Sequence, residues 1–223
     1  MINGELNNFL SSLANAFRAQ KGTSDSINAQ NFTNEIQQLP DEYDLAAQFL
    51  NKTVVSLTDN VGAIQSLTTT YCFQGFSLLT TINLPSCTSI AGGCFRQCSN
   101  LTTVILPSSA AVSYSCFAEC TSLSVFSCNC AVSTGTFYSC SNLAYAKVKL
   151  TGNTAYTFQY CTNLQTLDLT GMTSATSAST TCFTSTPLLS GEGVVYVRPS
   201  LLTQFKSLVP WSSMNLQAKE SED

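Results

Sequence analysis

No histidine occurs anywhere in the 223 residues. That absence removes the Ser-His-Asp and Cys-His arrangements that activate hydroxyl and thiol nucleophiles, and with them the commonest transition-metal ligand. Charge is also scarce, at 10% of residues, against about a quarter in an average soluble chain. Between Val61 and Ser190 only Arg96, Glu119, Lys147, Lys149 and Asp168 are charged, and the net charge of the whole is −4. A groove that follows phosphates needs clustered Lys and Arg, so no nucleic-acid partner is expected. No stretch reaches the ~18–20 apolar residues of a membrane-spanning helix. The start, Met1-Ile2-Asn3-Gly4-Glu5, lacks a basic region followed by an apolar run, so neither a membrane span nor a signal peptide is expected. Phosphate loops, dinucleotide fingerprints and EF-hand patterns are missing too, and no cofactor is expected.

What fills the chain instead is Ser, Thr and Asn, a hydrophobic fraction of 44%, and eleven cysteines. An odd number of cysteines, without a signal peptide, argues against a disulfide framework. The cysteines make sense once the chain is aligned on Phe73, Phe95, Phe117, Phe137, Phe158 and Phe183, which lie 22, 22, 20, 21 and 25 residues apart. Six positions after each comes a leucine: Leu79, Leu101, Leu123, Leu143, Leu164 and Leu189. Three positions after it stand Cys98, Cys120, Cys140 and Cys161, with Phe76 and Thr186 in the outer two units. One position before it stand Cys72, Cys94, Cys116 and Cys182, with Thr136 and Thr157 between them.

The remainder of each unit alternates with a period of two: Ile82 and Leu84, Val104 and Leu106, Phe126 and Cys128, Ala146 and Val148, Leu167 and Leu169. This predicts one short strand per unit, buried on one face, with Pro85 and Pro107 ending two of the strands. A strand and a compact turn have no core of their own, so the units must stack and bury Phe, Leu and Cys ladders against their neighbours. At a strand spacing near 4.8 Å, six coils rise only about 25–30 Å. Cys94, Cys98, Cys116 and Cys120 fall in adjacent coils, and four thiolates could in principle hold zinc. Their recurrence in phase with Phe and Leu reads instead as small buried side chains, and no metal is expected. Cys87, Cys128 and Cys130 fall outside this register. Glycoside hydrolysis would need neighbouring carboxyls. Glu119 and Asp168 sit two units apart, so enzyme activity is not expected.

Units such as Gly93-Cys94-Phe95-Arg96-Gln97-Cys98-Ser99-Asn100-Leu101-Thr102-Thr103-Val104-Ile105-Leu106-Pro107 resemble the BspA-like leucine-rich repeat, over roughly residues 50 to 190. The fourth and fifth units depart by losing the Pro and the leading Cys, and the sixth lacks the inner Cys. The resemblance implies an α+β repeat solenoid of about six coils, occupying residues 46–192.

Ahead of it, residues 1–45 predict two short helices. Leu6, Phe9, Leu10, Leu13 and Phe17 fall at helical spacing, and a second helix starts at Asn28 and stops before Pro40. A DNA-binding helix pair is excluded by charge, with Arg18 and Lys21 against six acids. The segment from Leu13 to Ile27, followed by Phe32-Thr33-Asn34-Glu35-Ile36, resembles a helical module of tailed-phage and prophage structural proteins. Residues 193–223 read as a cap: a closing strand over Gly193 to Pro199, a short helix over Ser200 to Ser207, then Pro210-Trp211, with Trp211 packing the end. This cap also resembles that of phage-encoded BspA-like proteins.

Two surface rows are candidate binding faces. One follows the strands: Asn83, Ile105, Ser127, Lys147 and Asp168, flanked by Tyr145. The other follows the turns after each Phe: Gln74, Arg96, Gln97, Glu119, Tyr138, Gln159 and Tyr160. Tyr among Asn, Gln and Ser suits sugar or protein recognition. The resemblances imply a non-enzymatic virion protein, assembled in host cytoplasm, whose N-terminal helices meet other virion proteins while the solenoid meets a host-surface glycan or protein, as part of a homo-oligomer. The alternative reading is a bacterial cell-surface adhesin of the BspA-like type.

Overall fold

The computed structural model describes residues 52–220 apart from 60, 61 and 63. The two-helix module expected over residues 1–45 lies outside the described residues. The strands are β1 (Ser56–Thr58), β2 (Ser66–Leu67), β3 (Thr81–Asn83), β4 (Ser89–Ile90), β5 (Thr103–Ile105), β6 (Ala111–Val112), β7 (Val125–Val132), β8 (Tyr145–Leu150), β9 (Thr166–Asp168), β10 (Val194–Val197) and β11 (Leu216–Ala218). Every pairing is parallel, as it must be when each coil returns to the same edge one level higher. Among the described residues the α-helices are single short turns, α1 (Pro187–Ser190) and α2 (Leu202–Lys206). The described part is therefore a β-solenoid, and the helical share expected of an α+β fold is confined to its C-terminal end.

The coil differs from the expected single strand. In the first three coils the chain makes two strand segments on two sheets, β1-β3-β5 and the ladder that begins β2-β4-β6. Pro85 and Pro107 lie between the segments. Proline has no amide to donate and turns the chain there. The next two coils have no proline at that point, and their strands β7 and β8 run through, eight and six residues long. The pairing of β7 with β8 slips between Phe126 and Cys130, where Asn129 takes a left-handed φ of 50°. The Asn129 amide reaches across to Gly171, where a methyl group would fall 1.9 Å from its Oδ1; only a residue without Cβ leaves that room.

The expected ladder forms down the core. Phe73, Phe95, Phe117, Phe137, Phe158 and Phe183 are all buried, and their rings stack near-parallel with centroids 5.3–5.9 Å apart. Both ends of the first four corners are hydrogen-bonded to the next coil. Phe95 N–H donates to Cys116 C=O, and Gly93 and Gln97, two residues either side, donate to Tyr114 and Ala118. This triplet recurs at Phe73, Phe117 and Phe137. To present three amides in one direction within five residues, the corner uses left-handed residues two before and two after the Phe. They are Tyr71, Gly93, Ser115, Gly135 and Tyr156 on one side, and Gly75, Gln97, Glu119, Ser139, Tyr160 and Ser185 on the other.

The cysteine column has a polar reason as well as an apolar one. Cys98, Cys120, Cys140 and Cys161 each donate from Sγ to the carbonyl of the Phe one coil back, at 3.0–3.2 Å. Alanine would fill similar space without the donor, whereas a thiol is both small and weakly polar. At the leading position, Thr136 and Thr157 replace Cys and donate to main-chain carbonyls, as Cys94 does.

Two details at the C-terminal end correct the sequence reading. The sixth unit does not bury Leu189, which is 41% exposed; its neighbour Leu188 is buried in its place, because α1 shifts the register by one residue. The strand at Val194–Val197 is not the closing one, since β11 adds parallel to its outer edge. Trp211 does pack the end as expected: it is buried, lies edge-on to Phe183 and Phe205, and donates from Nε1 to Thr176 C=O at 2.7 Å.

Truncating one ladder ring removes contacts on both sides. Phe137→Ala is expected to cost about 3–5 kcal/mol, read from the midpoint of denaturant unfolding. Gly93→Ala places a methyl 2.1 Å from the Tyr71 ring on a backbone with φ +67°, and is expected to cost about 1–3 kcal/mol in the same assay.

Candidate functional site

The turn row and the strand row meet different fates. On the strand row, Ile105 is 47% exposed, Ser127 is exposed, and Asn83, Tyr145 and Lys147 are half-buried. Asp168 corrects the sequence reading: it is fully buried and presents nothing to solvent. Its Oδ1 accepts from the Thr170 amide and hydroxyl at 2.9 and 2.6 Å. Its Oδ2 accepts from the Tyr145 hydroxyl at 3.2 Å and from Lys219 Nζ at 3.4 Å. The carboxylate thus ties β8, β9 and the chain after β11 together. Its burial was hidden in the sequence because the residue that satisfies its charge stands 51 positions away.

The turn row comes together as a surface. Arg96 donates to Glu119 Oε1 from Nε and from an Nη at 3.1 and 2.6 Å. Gln97 Nε2 donates to Glu119 Oε2 at 3.0 Å, and Gln74 donates to Gln97 at 3.2 Å. This relay crosses three coils at the corner. The Gln97 hydrogen bond, with the Arg96 charge beside it, holds the Glu119 carboxyl below its usual range against a partial burial penalty. One coil on, the Tyr138 and Tyr160 rings meet edge to face at 5.6 Å.

Two open depressions flank this group. One, of about 320 Å³, is lined by Arg96, Ser115, Thr134, Tyr138, Tyr156 and Gln159. The other, of about 700 Å³, is lined by Arg96, Gln97, Ser99, Glu119, Thr121 and Tyr138. Arg96 and Tyr138 border both, and no residue of the strand row lines either. Sequence reasoning missed Tyr156, 47% exposed, and Tyr71, 41% exposed. Both stand two residues before a ladder Phe, a recurrence that the alignment on Phe already contained. Tyr114, 43% exposed, lies over Gly92.

The corner backbone gives a reason to single out this row. A left-handed φ costs a non-glycine residue about 1–2 kcal/mol, and Gly75 shows the least costly choice. Gln97, Glu119 and Tyr160 hold the equivalent position in later coils, with their side chains directed outward into the relay and the tyrosine pair.

The cysteines are arranged as core rather than as metal ligands. All eleven are free. Of the quartet that could have held zinc, Cys94, Cys98 and Cys120 donate to main-chain carbonyls. Burial pushes the Cys98 thiol up to about 12 and the Cys116 and Cys120 thiols well above the usual range, the opposite of what a thiolate ligand needs. Cys87 and Cys130, outside the register, are also buried, and Cys128 is half-buried, donating to Val104 C=O. Among the described residues no group of three or more His, Cys, Asp or Glu is placed to hold a metal, and no helix is long and apolar enough to cross a membrane.

The profile of the family described as BspA type leucine rich repeat region matches residues 66–190 in six copies. A crystal structure of the leucine rich repeat protein of T. pallidum is similar at 19% identity and a TM-score of 0.46, over 70% of this chain and 80% of that one. No curated protein matches the chain.

The buried carboxylate generates a pH prediction. Burial opposes the charge on Asp168, but the Thr170 hydrogen bonds, the Lys219 charge and the Tyr145 hydroxyl outweigh it and hold its carboxyl below the usual range. A folded-state value below the unfolded one means stability that is complete above about pH 4 and lost as pH falls through the folded value. Asp168→Asn is therefore expected to cost about 1.5–3 kcal/mol at pH 7. Unfolding curves of the two proteins should converge as the pH is lowered below about 4.

Proposed function

Because this chain belongs to the BspA-type leucine-rich-repeat family, we propose that it is a non-enzymatic recognition protein whose turn face, centred on Arg96, Glu119, Tyr138, Tyr156 and Tyr160, receives a glycan or protein on the surface of a host. The observation that carries this reading is the grouping of half-buried Tyr138, exposed Tyr156 and a neutralised Arg–Glu pair around two open depressions, with exposed Tyr160 packed edge-on against Tyr138. Tyrosine offers a flat apolar face and a hydroxyl at small entropic cost. The pairing of Arg96 with Glu119 leaves the depression without net charge, which suits a neutral polar ligand better than a phosphate. The strand row, with Asp168 buried and Lys147 half-buried, supplies less polar surface, and Ile105 stands apart from the depressions.

The biological setting we propose is a virion. The resemblance of residues 13–36 to a tailed-phage structural module supports it, with the N-terminal segment meeting other virion proteins and the solenoid, as part of a homo-oligomer, facing outward. A cell-surface adhesin is the competing setting, and the repeat family supports it equally. Mass spectrometry of purified particles and of cell envelopes from the source culture separates the two. Stoichiometric recovery in particles supports the virion, and recovery confined to envelopes replaces it with the adhesin.

For the site itself, binding of the purified chain to host cells and to an array of neutral glycans is the direct measurement. Tyr138→Ala and Tyr160→Ala are each expected to weaken binding about 5- to 30-fold, the effect of truncating a central aromatic anchor. Ile105→Ser on the strand row is expected to leave it within about twofold. The reverse ranking would move the site to the strands.

A further inference from the structure

Cys72 and Cys94 occupy the same repeat position, one residue before the ladder Phe, in the first and second coils. Cys94 and six other thiols donate to main-chain oxygens, whereas Cys72 Sγ points at Cys94 Sγ, 3.3 Å away. The next residue locks the two coils in register, with Phe73 N–H donating to Cys94 C=O at 2.8 Å. Aligned residues of adjacent coils lie about 4.8 Å apart, inside the range of Cα separations that a disulfide spans. The pair is also reachable, because Cys72 is only partly buried although Cys94 is fully so.

We propose that Cys72 and Cys94 are an oxidation site, closing to a disulfide that staples the first coil of the solenoid to the second. The oxidant is a small hydroperoxide. It meets the accessible Cys72, whose thiol the hydrogen bond to Cys94 holds protonated; its sulfur takes one peroxide oxygen as the O–O bond breaks, the thiol proton passes to the leaving oxygen, which departs as water or alcohol, and Cys72 becomes a sulfenic acid. Cys94 Sγ then attacks Cys72 Sγ. The S–S bond forms, the S–O bond breaks, and the hydroxyl departs as water with the proton lost by Cys94. Two thiols are oxidised by two electrons and one peroxide is reduced. Cys94 suits the attacking role because its sulfur already lies 3.3 Å from Cys72 Sγ.

The location gives the bond a consequence. Phe73 is the first ring of the ladder and stacks on Phe95 alone among its ring partners in later coils. In a stacked repeat, opening starts at an end coil, which has one neighbouring interface fewer. A covalent tie there restrains the first coil among the described residues, and it forms only once the protein leaves a reducing compartment. The proposal does not depend on what the turn face binds.

The test treats the reduced full-length chain with hydrogen peroxide, then denatures, alkylates and maps the peptides. The expected product takes two fewer alkyl groups than the eleven of the reduced chain, with Cys72 and Cys94 joined. Its thermal unfolding midpoint rises and returns to the reduced value with dithiothreitol. Cys72→Thr is expected to abolish both changes while keeping the fold, because Thr136 and Thr157 hold the equivalent position in later coils. A disulfide between any other pair in the folded protein, Cys72 stalled as a sulfenic or sulfinic acid beside a reduced Cys94, or a cross-link without a rise in midpoint would each overturn the proposal.

Discussion

The hydrogen-bonded corner around each ladder phenylalanine is the constraint on which the rest of this structure depends. A coil of some twenty residues cannot bury a core by itself, so everything it gains comes from the coils above and below. The corner makes that contact exact in register: three amides donate to the next coil within five residues, and the Phe ring between them lands on the ring beyond. Backbone bonds set the rise, and the rings fill the space that the rise creates. A slip of one residue would place Arg96 or Cys94 where Phe95 stands and break both at once.

The same constraint explains the composition. The corner's carbonyls face inward, where water cannot reach, and a buried acceptor without a partner is costly. The thiol column three residues after the Phe, and the thiol or hydroxyl column just before it, supply donors small enough to pack. The abundance of cysteine and threonine is thus a consequence of bending a backbone sharply around a core. It also leaves one thiol pair close enough to react, where Cys72 Sγ meets Cys94 Sγ instead of a main-chain oxygen.

Corner geometry also produces the candidate recognition face. The left-handed residues that let the chain turn project their side chains away from the core, and in later coils these are Gln97, Glu119, Tyr156 and Tyr160. Stacking brings them within reach of one another at the coil rise, so single exposed residues of successive repeats become a relay and an aromatic pair. A solenoid gathers a binding surface in this way from residues some twenty positions apart in sequence.

The sequence by itself determined the repeat, its phase, the Phe, Leu and Cys ladders and the packing role of Trp211. Each is a periodic or chemically distinctive signal, and burial in a stacked array follows from periodicity alone. It also contained the turn row, with Arg96, Glu119, Tyr138 and Tyr160 at fixed offsets from the Phe. Only the tertiary structure decided what depends on local deviations or on distant partners. The prolines split the early strands into two sheets, α1 exchanged Leu189 for Leu188 in the core, and β11 closed the sheet that β10 was expected to end. Asp168 was taken from the surface into a cluster with Tyr145, Thr170 and Lys219. For β11 and for Asp168 the deciding contact is made by a residue outside the repeat's own period, and a periodic reading cannot see it.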